Sequence, residues 1–104
     1  MLIPTGIKID IPCGTMLQVC NKSGIASKKG LLVGACIVDS DYQGEMHINV
    51  WNVSNKTVAL TSGTKIVQMI LIPILLPQLE EVNEDDLFTN ETERGTGGFG
   101  STGV

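Results

Sequence analysis

Apolar and polar residues alternate with a period of two over much of the first 77 positions, as in strands with one buried face. Residues 7–11 read Ile-Lys-Ile-Asp-Ile, and residues 46–50 read Met-His-Ile-Asn-Val. Further β-rich runs cover residues 16–20, 31–38, 58–60 and 65–76. No convincing 3.6-residue period appears in residues 1–77, so the pattern predicts an all-β body with the short strands of a sandwich or barrel.

Turn-forming residues separate these runs. The predicted turns lie at residues 12–15, 21–24, 39–41 and 61–64, and all four contain Gly or Asp. After residue 77 the character changes. Residues 78–93 form an acidic stretch with room for one short helical turn, and residues 94–104 are rich in glycine. The predicted organisation is a β body (1–77), an acidic tether (78–93) and a C-terminal arm (94–104).

Size and charge narrow the possible functions. A chain of 104 residues with four aromatic side chains is one domain with a modest core, for which self-association is one remedy. Residues 1–77 carry six lysines and four carboxylates, a net charge of +2, whereas residues 78–104 carry one arginine and seven carboxylates, a net charge of −6. Without a dense basic patch, the chain is not expected to bind nucleic acid.

The cysteines, the N-terminus and the longest apolar run indicate the cellular compartment of the protein. Three cysteines without C-x-x-C spacing fit buried thiols in a reducing compartment better than a disulfide framework or a zinc site. The first ten residues have no charged, then apolar, leader pattern. The longest apolar run, 69–76, is interrupted by Pro73 and is too short to span a bilayer. We therefore expect a cytoplasmic protein that does not associate with membranes.

The densest polar cluster is Val-Asp-Ser-Asp-Tyr-Gln-Gly-Glu at residues 38–45. Its simplest interpretation is a β-turn, in which Asp side chains bond to their own backbone. Asp39 and Asp41 could instead help to hold a divalent cation, or one of them could act as a general base. The apolar run that precedes Asp39 favours function, because it would hold this carboxylate at the edge of a rigid sheet.

Two other polar positions carry weaker signals. The turn Asn21–Gly24 exposes a hydroxyl and backbone amides beside Lys22, which would suit a phosphate, although it also fits an ordinary turn that ends a strand. His47, the only histidine, lies on the polar face of a strand, which favours a structural role. A Ser23–His47–Asp39 triad has no nucleophile elbow to support it.

Residues 95–100 match G-x-G-x-x-G, the spacing of dinucleotide-binding turns. Such a turn follows a buried strand and opens a helix, whereas this one follows an acidic stretch and ends the sequence. A flexible tail is the usual interpretation of a Gly-rich terminus. Arg94 and Phe99 are unusual in such a tail and point to a ligand-binding arm.

Taken in order, these segments resemble the trimeric dUTPase family over residues 2–103. Lys22-Ser23-Gly24 stands at the family's second motif, and residues 38–44 match the third, Ile-Asp-x-Asp-Tyr-x-Gly. Residues 63–68 match the fourth motif, Gly-x-x-Ile-x-Gln. Residues 94–103 match the fifth, Arg-Gly-x-Gly-Gly-Phe-Gly-Ser-Thr-Gly. The third and fifth motifs, correctly ordered and spaced, make the resemblance specific.

The resemblance implies a distorted jelly-roll-like barrel (a β-clip fold) that assembles as a homotrimer with active sites shared between subunits. Each site would hydrolyse dUTP to dUMP and pyrophosphate, with Mg²⁺ held mainly by the substrate phosphates rather than by protein ligands. Asp39 would be the catalytic base that activates water for attack on the α-phosphorus. Tyr42 would pack under the deoxyribose and exclude a ribose 2′-hydroxyl.

The resemblance also assigns the other substrate contacts. Backbone groups of the hairpin formed by Cys36, Ile37 and Val38, and of His47, would read the uracil edge. Phosphates would be held by Lys22, Ser23, Gly24 and Gln68. The arm would close over the site, with Arg94 on the phosphates, Phe99 stacked on uracil, and Gly100 and Ser101 beside them.

The sequence departs from the family pattern at three places. The first motif, Ala-Gly-x-Asp-Leu, does not occur, which predicts an exposed sheet edge. Lys22 replaces an arginine, and Cys36 stands where many relatives have glycine, so that a positive φ there would be strained. Two other functions stay open: a non-catalytic trimeric β module that binds nucleotide or a partner, and a relative of dCTP deaminase. The sequence of residues 39–42 argues against the deaminase.

Overall fold

The computed structural model describes residues 1–101 and 103 and contains two three-stranded antiparallel sheets and two short helices. The strands are β1 (Leu2–Pro4), β2 (Thr15–Asn21), β3 (Leu31–Val33), β4 (Ile37–Val38), β5 (His47–Asn52) and β6 (Val67–Pro73). The helices are α1 (Ser23–Lys29) and α2 (Glu84–Leu87). The sheets have the strand orders β1-β5-β3 and β4-β2-β6. The predicted all-β class is confirmed.

One strand is central in each sheet. In the first sheet, β5 pairs with β1 through Leu2 opposite Asn49 and with β3 through Leu32 opposite Trp51. In the second sheet, β2 pairs with β6 along its whole length and with β4 near its start, where Leu17 lies opposite Val38. The strand β2 therefore connects the segment before Asp39 to the segment that contains Gln68.

The core lies between the two sheets. Alternate residues of the two central strands point inward, and the buried apolar side chains are Ile11, Leu17, Val19, Leu31, Met46, Ile48 and Val50. This is the period-two burial that the alternation predicted for residues 46–50. None of these residues is aromatic, so the core is small for a chain of this length.

Three predicted strands, at residues 7–11, 58–60 and 65–76, are wrong in existence or in length. Residues 7–11 form no strand, although Ile9 and Ile11 turn inward, so the alternation there reports burial without strand pairing. The N-terminal strand lies instead at Leu2–Pro4, where β5 provides a partner. Residues 58–60 form no strand, and residues 65–76 shorten to β6.

The predicted strand at residues 31–38 is divided between the two sheets. Its first part is β3 and its second part is β4, with Gly34 at the bend. Here a Cβ on residue 34 would lie 2.5 Å from Trp51 Nε1 and would collide with Asn49 Oδ1. Glycine is therefore needed so that the chain can cross closely over β5.

The predicted turn at residues 21–24 is wrong in its second half, because Ser23 begins α1. The helix has seven residues and no buried side chain, so no apolar period marked it in the sequence. It ends at Gly30, whose φ of 65° is left-handed and whose N–H donates to the carbonyl of Ala26. The turns predicted at 12–15 and 61–64 are confirmed by bonds from Thr15 N–H to Pro12 O and from Thr64 N–H to Thr61 O.

The C-terminal part of the chain extends away from the sheets. Every residue from 75 to 96 is exposed, and the radius of gyration is 19.4 Å. A compact domain of this length has a radius of gyration of about 13 Å. The acidic segment contains one helical turn, α2, with three carboxylates at its favourable N-terminal end. Two residues of the predicted arm, Thr102 and Val104, lie outside the described residues.

Among the described residues, no helix is long and apolar enough to cross a membrane.

Candidate active site

The segment predicted to read a base lies at the edge of the second sheet. Cys36 accepts a hydrogen bond from Val19 N–H through its carbonyl at 2.7 Å, and Ile37 and Val38 pair with β2 as β4. Two asparagine side chains accept hydrogen bonds from the backbone just before this segment. Asn21 Oδ1 accepts the N–H of Val33 at 2.8 Å, and Asn49 Oδ1 accepts the N–H of Ala35 at 2.9 Å. Residues 36–38 thus form an edge segment paired with β2 rather than the predicted hairpin, and this segment is fixed from both sheets.

Directly after β4 the chain turns at Asp39–Tyr42, where the N–H of Tyr42 donates to the carbonyl of Asp39 at 3.2 Å. The predicted β-turn and the predicted catalytic position therefore coincide. The Asp39 side chain is exposed at the end of the strand. Asp39 directly follows the two residues through which β4 pairs with β2, so its backbone is anchored at the edge of that sheet.

These elements enclose a pocket of about 210 Å³. Its lining consists of Ile37, Val38, Asp39, Tyr42, Met46 and His47. Pockets that hold whole drug-sized ligands have volumes of roughly 300–1,000 Å³. The pocket therefore has space for part of a nucleotide, and a triphosphate would extend beyond it.

The Tyr42 ring is held beside this pocket by the turn that follows it. Its hydroxyl donates to the carbonyl of Glu45 at 2.6 Å, and Nδ1 of His47 lies 2.9 Å from the same oxygen. The ring also covers the backbone of Gly44, where a Cβ would approach Tyr42 Oη to 2.6 Å. The absence of a side chain at residue 44 therefore determines where the ring can lie.

A second group of predicted residues lies elsewhere. Lys22 is the N-cap of α1, and Ser23 and Gly24 are its first two residues. Gln68 joins them, because it pairs with Cys20 across the β2–β6 ladder and its Nε2 donates to the carbonyl of Asn21 at 2.9 Å. The structure thus brings together the four residues predicted to hold phosphate.

The two groups occupy opposite ends of β2. Val38 lies opposite Leu17, so continuing the register places Asp39 level with Met16. Ser23 follows the other end of the strand. Since a strand rises about 3.3 Å per residue, the two groups are on the order of 20 Å apart along β2. One chain alone therefore does not bring its Asp39 next to its own Ser23.

The C-terminal arm folds on itself in consecutive turns. Arg94 Nε donates to the carbonyl of Gly97 at 2.6 Å, and the N–H of Ser101 donates to the carbonyl of Gly98 at 3.1 Å. Phe99 is fully exposed and has a φ of 54°. Gly100 follows with a φ of 91°. The arm presents an aromatic ring to solvent, with no described hydrogen bond between it and the pocket of Asp39.

The structure also bears on the catalytic triad, the backbone strain and the metal site that the sequence raised. Nδ1 of His47 bonds to Glu45 rather than to Asp39, and Ser23 is at the far end of β2, so the triad is not assembled. Phe99 is the only non-glycine residue with positive φ among the described residues, so Cys36 carries no such strain. In the same part of the chain, no group of three His, Cys, Asp or Glu side chains gathers around a possible metal position.

Sequence reasoning missed the residues that support this site. Gly6 donates its N–H to Glu45 Oε1 at 2.7 Å, and Thr5 Oγ1 donates to the carbonyl of Met46 at 2.7 Å. Asn49 holds Ala35. These contacts link residues 14 to 41 positions apart, and no local pattern marks them.

The two antiparallel sheets and the pocket beside β4 define an all-β protein with one candidate site, and comparison with known proteins defines its family. The dUTPase family model matches residues 1–103. The chain is 41% identical to the deoxyuridine 5′-triphosphate nucleotidohydrolase of Yarrowia lipolytica, with 99% of this chain and 64% of that protein aligned. It is 42% identical to the enzyme of the same name from Bdellovibrio bacteriovorus, over 98% of this chain and 67% of that protein. The chain therefore belongs to the dUTPase family.

Solved structures confirm the predicted fold. The dUTPase G164S mutant of Staphylococcus bacteriophage 80alpha, solved with dUpNHpp, matches with a TM-score of 0.77 at 24% identity over 100% of this chain and 80% of that one. The dUTPase of Streptococcus mutans matches with a TM-score of 0.69 at 30% identity over 75% of this chain and 67% of that one. The chain spans about two thirds of the length of the curated relatives from Yarrowia lipolytica and Candida albicans, 64% and 63% respectively.

Proposed function

We propose that this chain is the catalytic subunit of a dUTP diphosphatase, which hydrolyses dUTP to dUMP and pyrophosphate. The observation that carries the proposal is the pocket in which Asp39 and Tyr42 meet the edge strand β4. Family membership, with relatives called deoxyuridine 5′-triphosphate nucleotidohydrolases at about 40% identity, supports the same substrate.

In the proposed reaction, a water molecule held by Asp39 attacks the α-phosphorus. The new bond joins the water oxygen to this phosphorus, the bond to the α,β-bridging oxygen breaks, and pyrophosphate leaves. The proton of the water passes to the Asp39 carboxylate, which acts as the general base. The exposed end of β4 suits this role, because the carboxylate is held by the sheet and still reaches solvent.

The nucleoside would occupy the small pocket. Backbone groups of residues 36–38 and of His47 would pair with uracil, and the Tyr42 ring would lie under the deoxyribose. The tight position of this ring against Gly44 supports a role in which the ring excludes a ribose 2′-hydroxyl by steric contact. Arg94 and Phe99 would come from an arm that closes on bound substrate and excludes water. The turns between the glycines of the arm are compatible with such a motion.

We further propose a homotrimer with shared sites. The separation of the Asp39 pocket from Lys22, Ser23, Gly24 and Gln68 supports it, because a second copy must then bring its phosphate-holding residues to the first copy's pocket. The small volume of the pocket supports the same arrangement. The exposed stretch from 75 to 96 has the length to reach a neighbouring subunit.

Mg²⁺ is the proposed cofactor. Mg²⁺ keeps several of its waters and binds readily to substrate phosphates, so a dedicated set of protein ligands is not needed at the pocket. The ion would be held mainly by the triphosphate, whose negative charge it would reduce. A cytoplasmic location completes the proposal. Cys13, Cys20 and Cys36 are unpaired, which fits a reducing compartment, although none of them is buried as the sequence predicted: Cys13 is exposed and the other two are half-buried.

The decisive experiment measures pyrophosphate release from dUTP, dCTP, dTTP and UTP with Mg²⁺, alongside an Asp39→Asn variant. Release from dUTP alone, reduced by about 10²- to 10⁴-fold in the variant, is expected for loss of a general base. No release by folded protein that still binds dUMP would instead identify a non-catalytic module that binds nucleotide. Ammonia release from dCTP would identify a deaminase.

A further inference from the structure

Glu45 links the turn that contains Tyr42 to the N-terminal segment, through its backbone carbonyl on one side and its side-chain carboxylate on the other. Its backbone carbonyl receives the hydroxyl of Tyr42 at 2.6 Å and lies 2.9 Å from Nδ1 of His47. Its carboxylate Oε1 accepts the N–H of Gly6 at 2.7 Å. The residue that places the tyrosine is thus itself bonded to the N-terminal segment.

The hydroxyl bond to Glu45 is the one hydrogen bond described for the Tyr42 side chain. The ring is 43% exposed, so the core does not hold it on all sides. Its position therefore depends on where the Glu45 carbonyl lies. A shift of this carbonyl would move the ring that faces the proposed sugar site.

The Gly6 contact adds to the backbone bond that orients that carbonyl, because the N–H of the same peptide unit, from Met46, donates to the carbonyl of Ile7 at 2.8 Å. The glycine has a φ of 72°, a conformation that other residues rarely adopt, and in this structure its N–H reaches the carboxylate. A hydrogen bond to an ionised acceptor is stronger than one between neutral groups. The bond spans 39 positions of sequence and holds the turn against a segment that precedes β2.

Neighbouring contacts would keep the two segments together without the carboxylate. Thr5 donates to the carbonyl of Met46 through both its N–H, at 3.2 Å, and its hydroxyl, at 2.7 Å. The N–H of Met46 donates to the carbonyl of Ile7 at 2.8 Å. Removal of the Glu45 side chain should therefore leave the fold intact and free only the turn.

We propose that Glu45 is a positioning residue that fixes the Tyr42 ring through the Gly6 bond and so sets the selectivity for deoxyribose over ribose. This inference rests on the proposed function for its substrate, while the positional part concerns the structure alone. It assigns no chemical step to Glu45, which acts through Tyr42.

The test compares Glu45→Ala with Glu45→Gln, because the glutamine amide oxygen can still accept the Gly6 N–H. In Glu45→Ala, the ratio of kcat/KM for dUTP to that for UTP should fall about 3- to 10-fold, as for the loss of one hydrogen bond. Glu45→Gln should retain most of the ratio. Glu81→Ala, which removes an exposed carboxylate from the acidic segment, is the matched control and should change nothing. Equal losses in both Glu45 variants, or an activity loss with an unchanged ratio, would overturn the proposal.

A second measurement does not depend on turnover. Tyr42 is the only tyrosine, so its ring signals in an NMR spectrum are unambiguous. In Glu45→Ala these signals should shift and the Gly6 amide should exchange faster with solvent, whereas Glu45→Gln should resemble the parent. If the parent does not hydrolyse dUTP, the proposed function fails, and this spectrum still decides whether Glu45 positions the ring. Unchanged ring signals in Glu45→Ala would refute that role.

Discussion

The Tyr42 ring lies across the backbone of Gly44, so closely that a Cβ on residue 44 would be 2.6 Å from Tyr42 Oη and 2.7 Å from Cζ. Real Cβ atoms do not make such contacts. A Gly44→Ala substitution must therefore displace the ring or the turn. Since residue 44 is only half-buried at the surface of the fold, the displacement should act on the pocket more than on the core.

We expect Gly44→Ala to lower kcat/KM for dUTP by about tenfold or more, as an active-site displacement of about 1 Å can. The measurement is pyrophosphate release, with thermal unfolding as a check that the fold is retained. Tyr42→Phe is the companion variant, because it keeps the ring but lacks the bond to Glu45. A Gly44→Ala variant with parental kinetics would show that the ring is not constrained by this contact.

Gly34→Ala should act on stability. The added methyl would meet Trp51 Nε1 at 2.5 Å and push against Asn49, whose side chain is bonded to the N–H of Ala35. Overpacking and the loss of that bond should lower the free energy of unfolding by about 1–2 kcal/mol, measurable by urea denaturation.

The matched control for that substitution is Gly24→Ala. An added Cβ there has no atom within 4 Å, and the position lies in α1. Alanine should maintain or raise stability, by up to about 1 kcal/mol, because of its higher helix propensity. Similar destabilisation by both substitutions would show that the close approach at residue 34 is not the cause.

Phe99→Ala should separate function from stability in the arm. The ring is fully exposed, so its removal should leave the midpoint of thermal unfolding unchanged. If the ring stacks on uracil, a loss of about 1–3 kcal/mol of stacking should reduce kcat/KM for dUTP by roughly 5- to 150-fold.

Phe88→Ala provides the comparison, because Phe88 is 81% exposed in the same C-terminal part but lies outside the proposed lid. This variant should have parental kinetics. If the two substitutions reduce activity equally, the effect belongs to the C-terminal segment as a whole and not to stacking by Phe99.

The proposed homotrimer with shared sites predicts complementation between inactive variants. Asp39→Asn and Ser23→Ala alter opposite ends of β2, so a mixed trimer can contain sites in which both residues are intact. After equal amounts of the two variants are unfolded and reassembled together, about a quarter of the sites should be intact. Pyrophosphate release by the mixture should rise accordingly. Reassembly that yields no activity above that of either variant alone would place both residues in one subunit's site.

Much of the functional assignment could be made from the sequence because the motifs are local. The turn at Asp39–Tyr42 and the Gly-rich arm are recognisable from contiguous residues, because aspartate and glycine favour the backbone conformations that turns require. The all-β class was equally accessible, since one buried face imposes a period of two. The short helix α1 was missed because seven residues without a buried face leave no period.

The sequence by itself determined that the chain is all-β, which residues are candidates for the chemistry, and that an acidic stretch separates the β-rich residues from the Gly-rich end. Only the tertiary structure decided which strands pair, that residues 31–38 divide between two sheets, and that Glu45 joins Gly6 to the Tyr42 turn. It also decided that Asp39 and Ser23 lie at opposite ends of β2. The physical reason is that strand pairing and its register join residues far apart in the chain, and local composition does not encode which distant backbone groups will meet.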